Sequence, residues 1–186
     1  MRLFVALEIP GDVRQSIASL IRELRALAPQ LKWVRVDNFH LTLKFIGEVE
    51  PAKLDAIRSA LTGVRCSAAL DLRFRGLGFF PNDKRPRVFW AGIEAPPELA
   101  QLASDIDVAL ARLGFSREER PFSPHLTLAR LDGTRLSDAF REAIVKHSVQ
   151  EFGSLRTAEL RLIESNLKST GAEYTTVQNF AFASES

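Results

Sequence analysis

The side chains best able to do chemistry come as a repeated pair. Residues 40–43 read His40-Leu41-Thr42-Leu43, and residues 125–128 read His125-Leu126-Thr127-Leu128. The chain has three histidines, and two of them open these identical tetrapeptides. Asn38-Phe39 leads into the first copy and Phe122-Ser123-Pro124 into the second. Both copies are apolar and β-rich, so each reads as a short strand. Side chains alternate along a strand, which sets His and Thr on one face and the two Leu on the other. Burying the leucines leaves an imidazole and a hydroxyl side by side at an exposed face. Two such strands facing each other make a cleft with an acid–base pair and hydroxyl donors suited to an anion.

The elements that must hold these strands can be read in order. Residues 2–9 alternate as a first strand, closed by Pro10-Gly11. Asp12 is expected to cap a helix running to about Ala28, with Val13, Ile17, Leu20, Ile21, Leu24 and Leu27 on one side. A short strand over Leu31–Arg35 and a turn at Val36-Asp37-Asn38 lead into the first motif strand, Phe39–Ile46, which Gly47 breaks. Pro51 starts a second helix carrying Leu54, Ile57 and Leu61, stopped by Gly63. Residues 67–75 alternate again as a half-exposed antiparallel strand. Gly76–Arg87 reads as a loop, Val88–Ile93 as a strand, and Pro96-Pro97 opens a helix through Leu113. The second motif strand spans about His125–Leu131. A helix over 134–147 and a hairpin pairing 158–167 with 172–182 finish the chain. Helices are too few, and neighbouring strands too close, for a doubly wound parallel sheet. The expected class is α+β: one domain over residues 1–186, internally duplicated, with two pseudo-symmetric lobes of mainly antiparallel sheet, outer helices and a central cleft.

Bulk composition narrows the setting. The 186 residues suit one domain or two small lobes sharing a core. A formal net charge of +2 argues for local rather than broad contact with nucleic acid. Arginine is preferred to lysine, which favours bidentate recognition of phosphate or carboxylate where arginines converge. Cys66 is the sole cysteine, so neither an intrachain disulfide nor a cysteine-based zinc site is possible, and it reads as a packed structural thiol. The N-terminal segment is too short and too alternating for a signal peptide, and no apolar run approaches a membrane span. A soluble, cytoplasmic protein is expected.

Metal catalysis and serine-type nucleophilic catalysis both lack their residues. The two histidines have no cysteines and no His-x-Glu-type spacing, so a metal site would need remote carboxylates; Asp37 and Glu48 lie near the first motif but nothing comparable repeats around the second, and no Gly-x-Ser-x-Gly turn occurs. Two imidazoles across a cleft fit in-line displacement at phosphorus. One takes a proton from water and the other gives a proton to the departing sugar oxygen, while the threonine hydroxyls receive the phosphoryl oxygens. A strained cyclic phosphodiester needs no metal for this, so the residues predict a metal-independent, cofactor-free phosphodiesterase.

Trp33-Val34-Arg35 followed by Asn38-Phe39-His40-Leu41-Thr42-Leu43-Lys44-Phe45-Ile46-Gly47-Glu48-Val49 closely resembles the first signature of the two-histidine phosphoesterases. Ser123-Pro124-His125-Leu126-Thr127-Leu128-Ala129-Arg130 resembles the second. Within that family the chain looks like the bacterial and archaeal RNA 2′,3′-cyclic phosphodiesterases, historically called 2′-5′ RNA ligases. Phe80-Pro81, Arg87-Val88-Phe89-Trp90-Ala91-Gly92 and Glu164-Ser165 add to the likeness, which covers nearly the whole chain. Asp37 stands where the family more often has Glu, and Val36 where it often has Pro. The resemblance implies a bilobal α+β fold, no metal, and hydrolysis of a 2′,3′-cyclic phosphate at an RNA 3′ end to a 2′-phosphomonoester. A monomer is expected. It implies His40 as proton donor to the leaving 3′ oxygen and His125 as acceptor from water. From residues alone the two motifs are near-symmetric, and either order stands.

Thr42 and Thr127 are expected to contact phosphate. Arg130 follows His125 by five residues and has the wrong parity for the site face, yet the resemblance associates it with the motif, and a bulge would re-aim it. Lys44 has the parity to line the cleft, or to sit as a solvated edge lysine. Phe4 shares a face with Ala6 and Glu8, suited to stacking on a base or to the core. Arg85 and Arg87 either meet an RNA backbone or are solvated. His147, at a helix end, reads as a surface residue. Alternative substrates for the same site are a 2′-5′-linked oligonucleotide or ADP-ribose cyclic phosphate, with reversible ligation as the reverse reaction. A non-catalytic RNA-binding module is the reading from another class.

Overall fold

The structure, a computed structural model, describes residues 1–182. In chain order its strands and α-helices are β1 (Arg2–Glu8), α1 (Gly11–Leu27), β2 (Lys32–Trp33), β3 (His40–Glu48), α2 (Leu54–Thr62), β4 (Leu70–Phe80), β5 (Val88–Glu94), α3 (Pro97–Ala111), β6 (His125–Arg130), α4 (Asp138–Lys146), β7 (Glu151–Thr157), β8 (Glu159–Lys168) and β9 (Gly171–Ala181). Single 3-10 turns occupy Val36–Asn38 and Pro51–Lys53.

The strands form a four-stranded sheet of order β3-β1-β8-β9 and a five-stranded sheet of order β2-β6-β5-β4-β7. Every pairing is antiparallel, as the close spacing of strands required. The two motif strands occupy matching places. β3 pairs with β1, which runs into α1, and β6 pairs with β5, which runs into α3. The helices then cross over. α1 packs on β7 and α4, beside the five-stranded sheet, whereas α3 packs on β3 and α2, beside the four-stranded one. Each of these helices thus covers the sheet that does not contain the strand leading into it.

The alternating apolar residues explain why this closes into one core. Leu3, Val5, Leu7, Leu41 and Leu43 from one sheet and Leu72, Phe74, Phe89, Ala91, Leu126 and Leu128 from the other belong to a single buried cluster. α1 adds Val13, Ile17, Leu20, Ile21 and Leu24 at helical spacing, and α3 adds Leu99, Leu102, Ile106 and Leu110. The opposite sheet faces carry both motif histidines.

Several elements depart from the sequence reading. Glycine does not stop either strand where it was expected to. β3 runs through Gly47 (φ +88°) to Glu48, and β4 runs through Gly76 (φ +78°) to Phe80, because the left-handed backbone open to glycine is taken up as an irregularity inside the strand. Only Pro81–Arg87 remains as loop. β7 is a further strand, pairing with β4 at the sheet edge; its run Glu-Phe-Gly-Ser-Leu-Arg-Thr buries fully only Phe152. α4 starts at Asp138, not 134, because the Ser137 hydroxyl accepts the Phe140 N–H at 3.2 Å and fixes the helix start. Asp12 is no cap. Pro10 holds that position, and the Asp12 carboxylate accepts only from Val13 N–H at 2.9 Å. Cys66 is buried as expected, its thiol donating to the Ala68 carbonyl at 3.3 Å.

Candidate active site

Both motif strands present their residues with the expected alternation. On β3, Leu41 and Leu43 are buried, His40 is half-buried and Thr42 is exposed; on β6, Leu126 and Leu128 are buried and His125 and Thr127 are half-exposed. β3 and β6 touch although they belong to different sheets.

The two imidazoles are held in the same way. His40 Nδ1 lies 3.2 Å from the Asn38 carbonyl, and His125 Nδ1 lies 2.8 Å from the Ser123 carbonyl, each two residues upstream. A carbonyl oxygen only accepts, so Nδ1 carries the proton in both rings and Nε2 is left to gain or lose one. Both rings also rest edge-on against aromatic neighbours. His40 meets Tyr174 at 5.6 Å and Phe4 at 6.2 Å between ring centres. His125 meets Phe80 at 4.8 Å, and Phe80 in turn leans on Trp90 at 5.3 Å. Phe4 therefore lies beneath the site, in a small cluster with Ala6, Ile163 and Tyr174 that is separate from the main core.

A shared irregularity follows each threonine. Thr42 pairs with Ala6 but Lys44 pairs with Val5, leaving Leu43 as an extra residue. Thr127 pairs with Trp90 but Ala129 pairs with Phe89, leaving Leu128 extra. Such a bulge reverses the alternation beyond it. On β6 it sends Ala129 inward and brings Arg130 out onto the face of His125 and Thr127, which simple parity denied it. On β3 it brings Phe45 outward, beneath the Arg2 guanidinium at 4.9 Å, and turns Lys44 inward. Lys44 neither lines the cleft nor is solvated. It is 3% exposed, with Nζ 2.8 Å from Asp107 on α3 and 2.7 Å from the Ser116 carbonyl.

The LigT-like phosphoesterase profile matches residues 7–90 and 93–173, and each stretch contains one copy of the His-Leu-Thr-Leu motif. The chain belongs to the LigT-like phosphoesterases. An RNA 2′,3′-cyclic phosphodiesterase of Methanothermobacter thermautotrophicus is 34% identical over 97% of this chain and 98% of its own. One from Thermus thermophilus is 33% identical over 100% and 92%. Among solved structures, E. coli LigT complexed with 3′-AMP superposes with a TM-score of 0.80 at 28% identity, covering 97% of both chains.

Around His40 this LigT-like phosphoesterase builds a charged surround that the sequence did not reveal. Glu8 is the cross-strand partner of His40, and Arg161 of β8 is ion-paired to Glu8. Arg14 of α1 donates to the Ile9 and Val36 carbonyls at 2.9 and 2.8 Å, tying the helix to the turn before His40. Burial holds the His40 imidazole below its ordinary value; the Asn38 carbonyl and Glu8 oppose this, and the positive charges of Arg14 and Arg161 add to it. No sequence signal marked Glu8, Arg161 or Tyr174, because only the pairing of β1, β8 and β9 brings them to the motif. The third histidine has no part here: His147 bonds Gln150 at 2.6 Å and Glu23 at 3.2 Å, joining α4 to α1. No helix among the described residues is long and apolar enough to cross a membrane.

Proposed function

We propose that this LigT-like phosphoesterase hydrolyses 2′,3′-cyclic phosphate at RNA 3′ ends to the 2′-phosphomonoester, as a cytoplasmic monomer. The observation that carries this reading is the matched pair of imidazoles, each with Nδ1 tied to a backbone carbonyl and Nε2 open. His125 Nε2 takes a proton from the attacking water as the new P–O bond forms. His40 Nε2–H gives its proton to the 3′ oxygen as the P–O3′ bond breaks. The two proton transfers exchange the protonation states of the rings, and solvent restores them. Thr42, Thr127 and Arg130 hold the phosphoryl oxygens, where negative charge gathers in the transition state.

His40 must begin as the imidazolium, although burial disfavours that form in the free enzyme. The phosphodiester anion supplies the missing counter-charge on binding, so the acid is formed with its substrate. The curated relatives named as RNA 2′,3′-cyclic phosphodiesterases support the choice of substrate.

The test is a short RNA ending in 2′,3′-cyclic phosphate, incubated with enzyme in excess EDTA and followed by phosphorus NMR. Wild type should form the 2′-phosphate, and His40→Ala and His125→Ala should each lose roughly a thousandfold in rate. A 3′-phosphate product would reverse the leaving oxygen, and turnover that survives both substitutions would rule out the two-histidine mechanism.

A further inference from the structure

Beyond Arg130, the face that carries His125 and Thr127 opens into a hollow of about 800 Å³ between the loop joining β4 to β5 and the loop joining β6 to α4. Its charge is one-sided. Lys84, Arg85, Arg87, Arg130, Arg135 and Arg141 line it, against Asp132 as the one acid among its lining residues. That acid is already ion-paired to Lys32, which leaves the cations without a carboxylate of their own inside the hollow. The loops are fastened to each other. Leu131 N–H donates to the Arg87 carbonyl at 2.9 Å, and the Arg141 guanidinium donates to the Asp83 carbonyl at 3.3 Å. Like charges gathered around one hollow repel, and an anion brought in from outside relieves this.

We propose that this hollow binds the backbone phosphates of the RNA upstream of the cyclic end, making an oligonucleotide rather than a mononucleotide the preferred substrate. The inference rests on the two-histidine reading above for its direction. A cyclic phosphate closes the 3′ terminus, so the only chain that can leave the site is the upstream one. Arg130 bridges the two regions, because the bulge at Leu128 sets it on the motif face while it also borders the hollow. Arginine-rich contacts of this kind read phosphate and not base, so the preference is for length and not sequence. Arg85 and Arg135, on opposite loops and both exposed, reach the phosphates without packing duties that their loss would disturb.

The experiment measures binding and turnover separately. Binding is read by fluorescence anisotropy of a labelled hexaribonucleotide ending in 2′,3′-cyclic phosphate, in a His125→Ala background that prevents turnover. Adding Arg85→Ser and Arg135→Ser should weaken binding about tenfold and make the salt dependence shallower by about 1.4 units of log–log slope, as expected for two lost phosphate contacts on a single strand. Unchanged affinity and slope would overturn the hollow as a phosphate site, whatever the catalytic result. Turnover is compared on the same hexamer and on a nucleoside 2′,3′-cyclic phosphate. The ratio of kcat/KM values, hexamer over mononucleotide, should be well above one in wild type and fall in the double variant. A ratio near one in wild type would likewise sink the inference while leaving the hydrolase reading intact. Failure of wild type on both substrates would overturn the hydrolase reading alone, since the anisotropy still decides the hollow.

Discussion

His40 and His125 carry the same motif but not the same surroundings. Tyr174 and Phe4 press on the edge of His40, and burial lowers its proton affinity. In its proposed role as the acid His40 must be protonated, so the alkaline limb of kcat/KM, which reports the free enzyme, should fall at lower pH than an ordinary imidazole would give. Bound phosphodiester restores the charged form, so the alkaline limb of kcat should lie at higher pH than that of kcat/KM. Coincident limbs, or the reverse order, would contradict His40 as the acid. Removing the cover should act in the same direction as the substrate: in Tyr174→Ala the His40 titration, followed by nitrogen NMR, should move up toward the ordinary imidazole value. The histidines and threonines were legible in the sequence because a repeat is visible without any knowledge of pairing. Arg130 was ambiguous and Lys44 misplaced for one shared reason. A bulge is a property of two paired strands, and neither Leu43 nor Leu128 announces itself as the extra residue.

At the scale of elements, the same bulge that exposes Arg130 on β6 recruits Lys44 on β3 as a buried anchor. Lys44 links β3 to Asp107 on α3 and to the Ser116 carbonyl, and Asp107 also receives the Glu118 N–H at 3.1 Å and the Arg117 guanidinium. Burial pushes the Asp107 carboxyl up, but these hydrogen bonds outweigh it and hold it below the usual carboxylate range. Asp107→Asn leaves the buried Lys44 with only the exposed Glu118 carboxylate, at 3.3 Å, as counter-charge and should cost up to about 3 kcal/mol at neutral pH. A carboxyl whose folded value lies below its unfolded value contributes stability above the unfolded value and loses it as pH falls through the folded one. Denaturant titrations should therefore show the variant and wild type converging in acid; a constant gap would place the loss elsewhere. A second element-scale constraint is the close approach of β4 to Trp90. A Cβ on Gly78 would sit 2.3 Å from the Trp90 ring, which supports Phe80 and through it His125. Gly78→Ala should cost about 2 kcal/mol by overpacking and alter the near-ultraviolet dichroism of Trp90. The long amphipathic helices were readable from their periodicity, whereas β7 was not, since an edge strand with a single fully buried side chain leaves little pattern to read.

For the whole molecule, the crossing of the helices matters more than the likeness of the halves. Two lobes that each kept their own helices would present two cores, and a cleft between them would be free to open. Here Leu24 on α1 and Ile106 on α3 belong to the same buried cluster, although α1 covers the five-stranded sheet and α3 the four-stranded one. Apolar contacts therefore run from either half of the chain into both sheets, and neither motif strand can lose its backing alone. The expectation is one cooperative unfolding transition over residues 1–182. Trp33 and Trp90 report on the five-stranded sheet by fluorescence, while amide exchange in β1 and β8 reports on the four-stranded one. Leu24→Ala and Ile106→Ala should each cost roughly 2–5 kcal/mol and should shift both probes together, whichever sheet the substituted helix covers. If Leu24→Ala moved the tryptophan transition while β1 and β8 kept their protection, the lobes would be separable units. The relative placement of His40 and His125 would then depend on the interface between lobes rather than on the shared core.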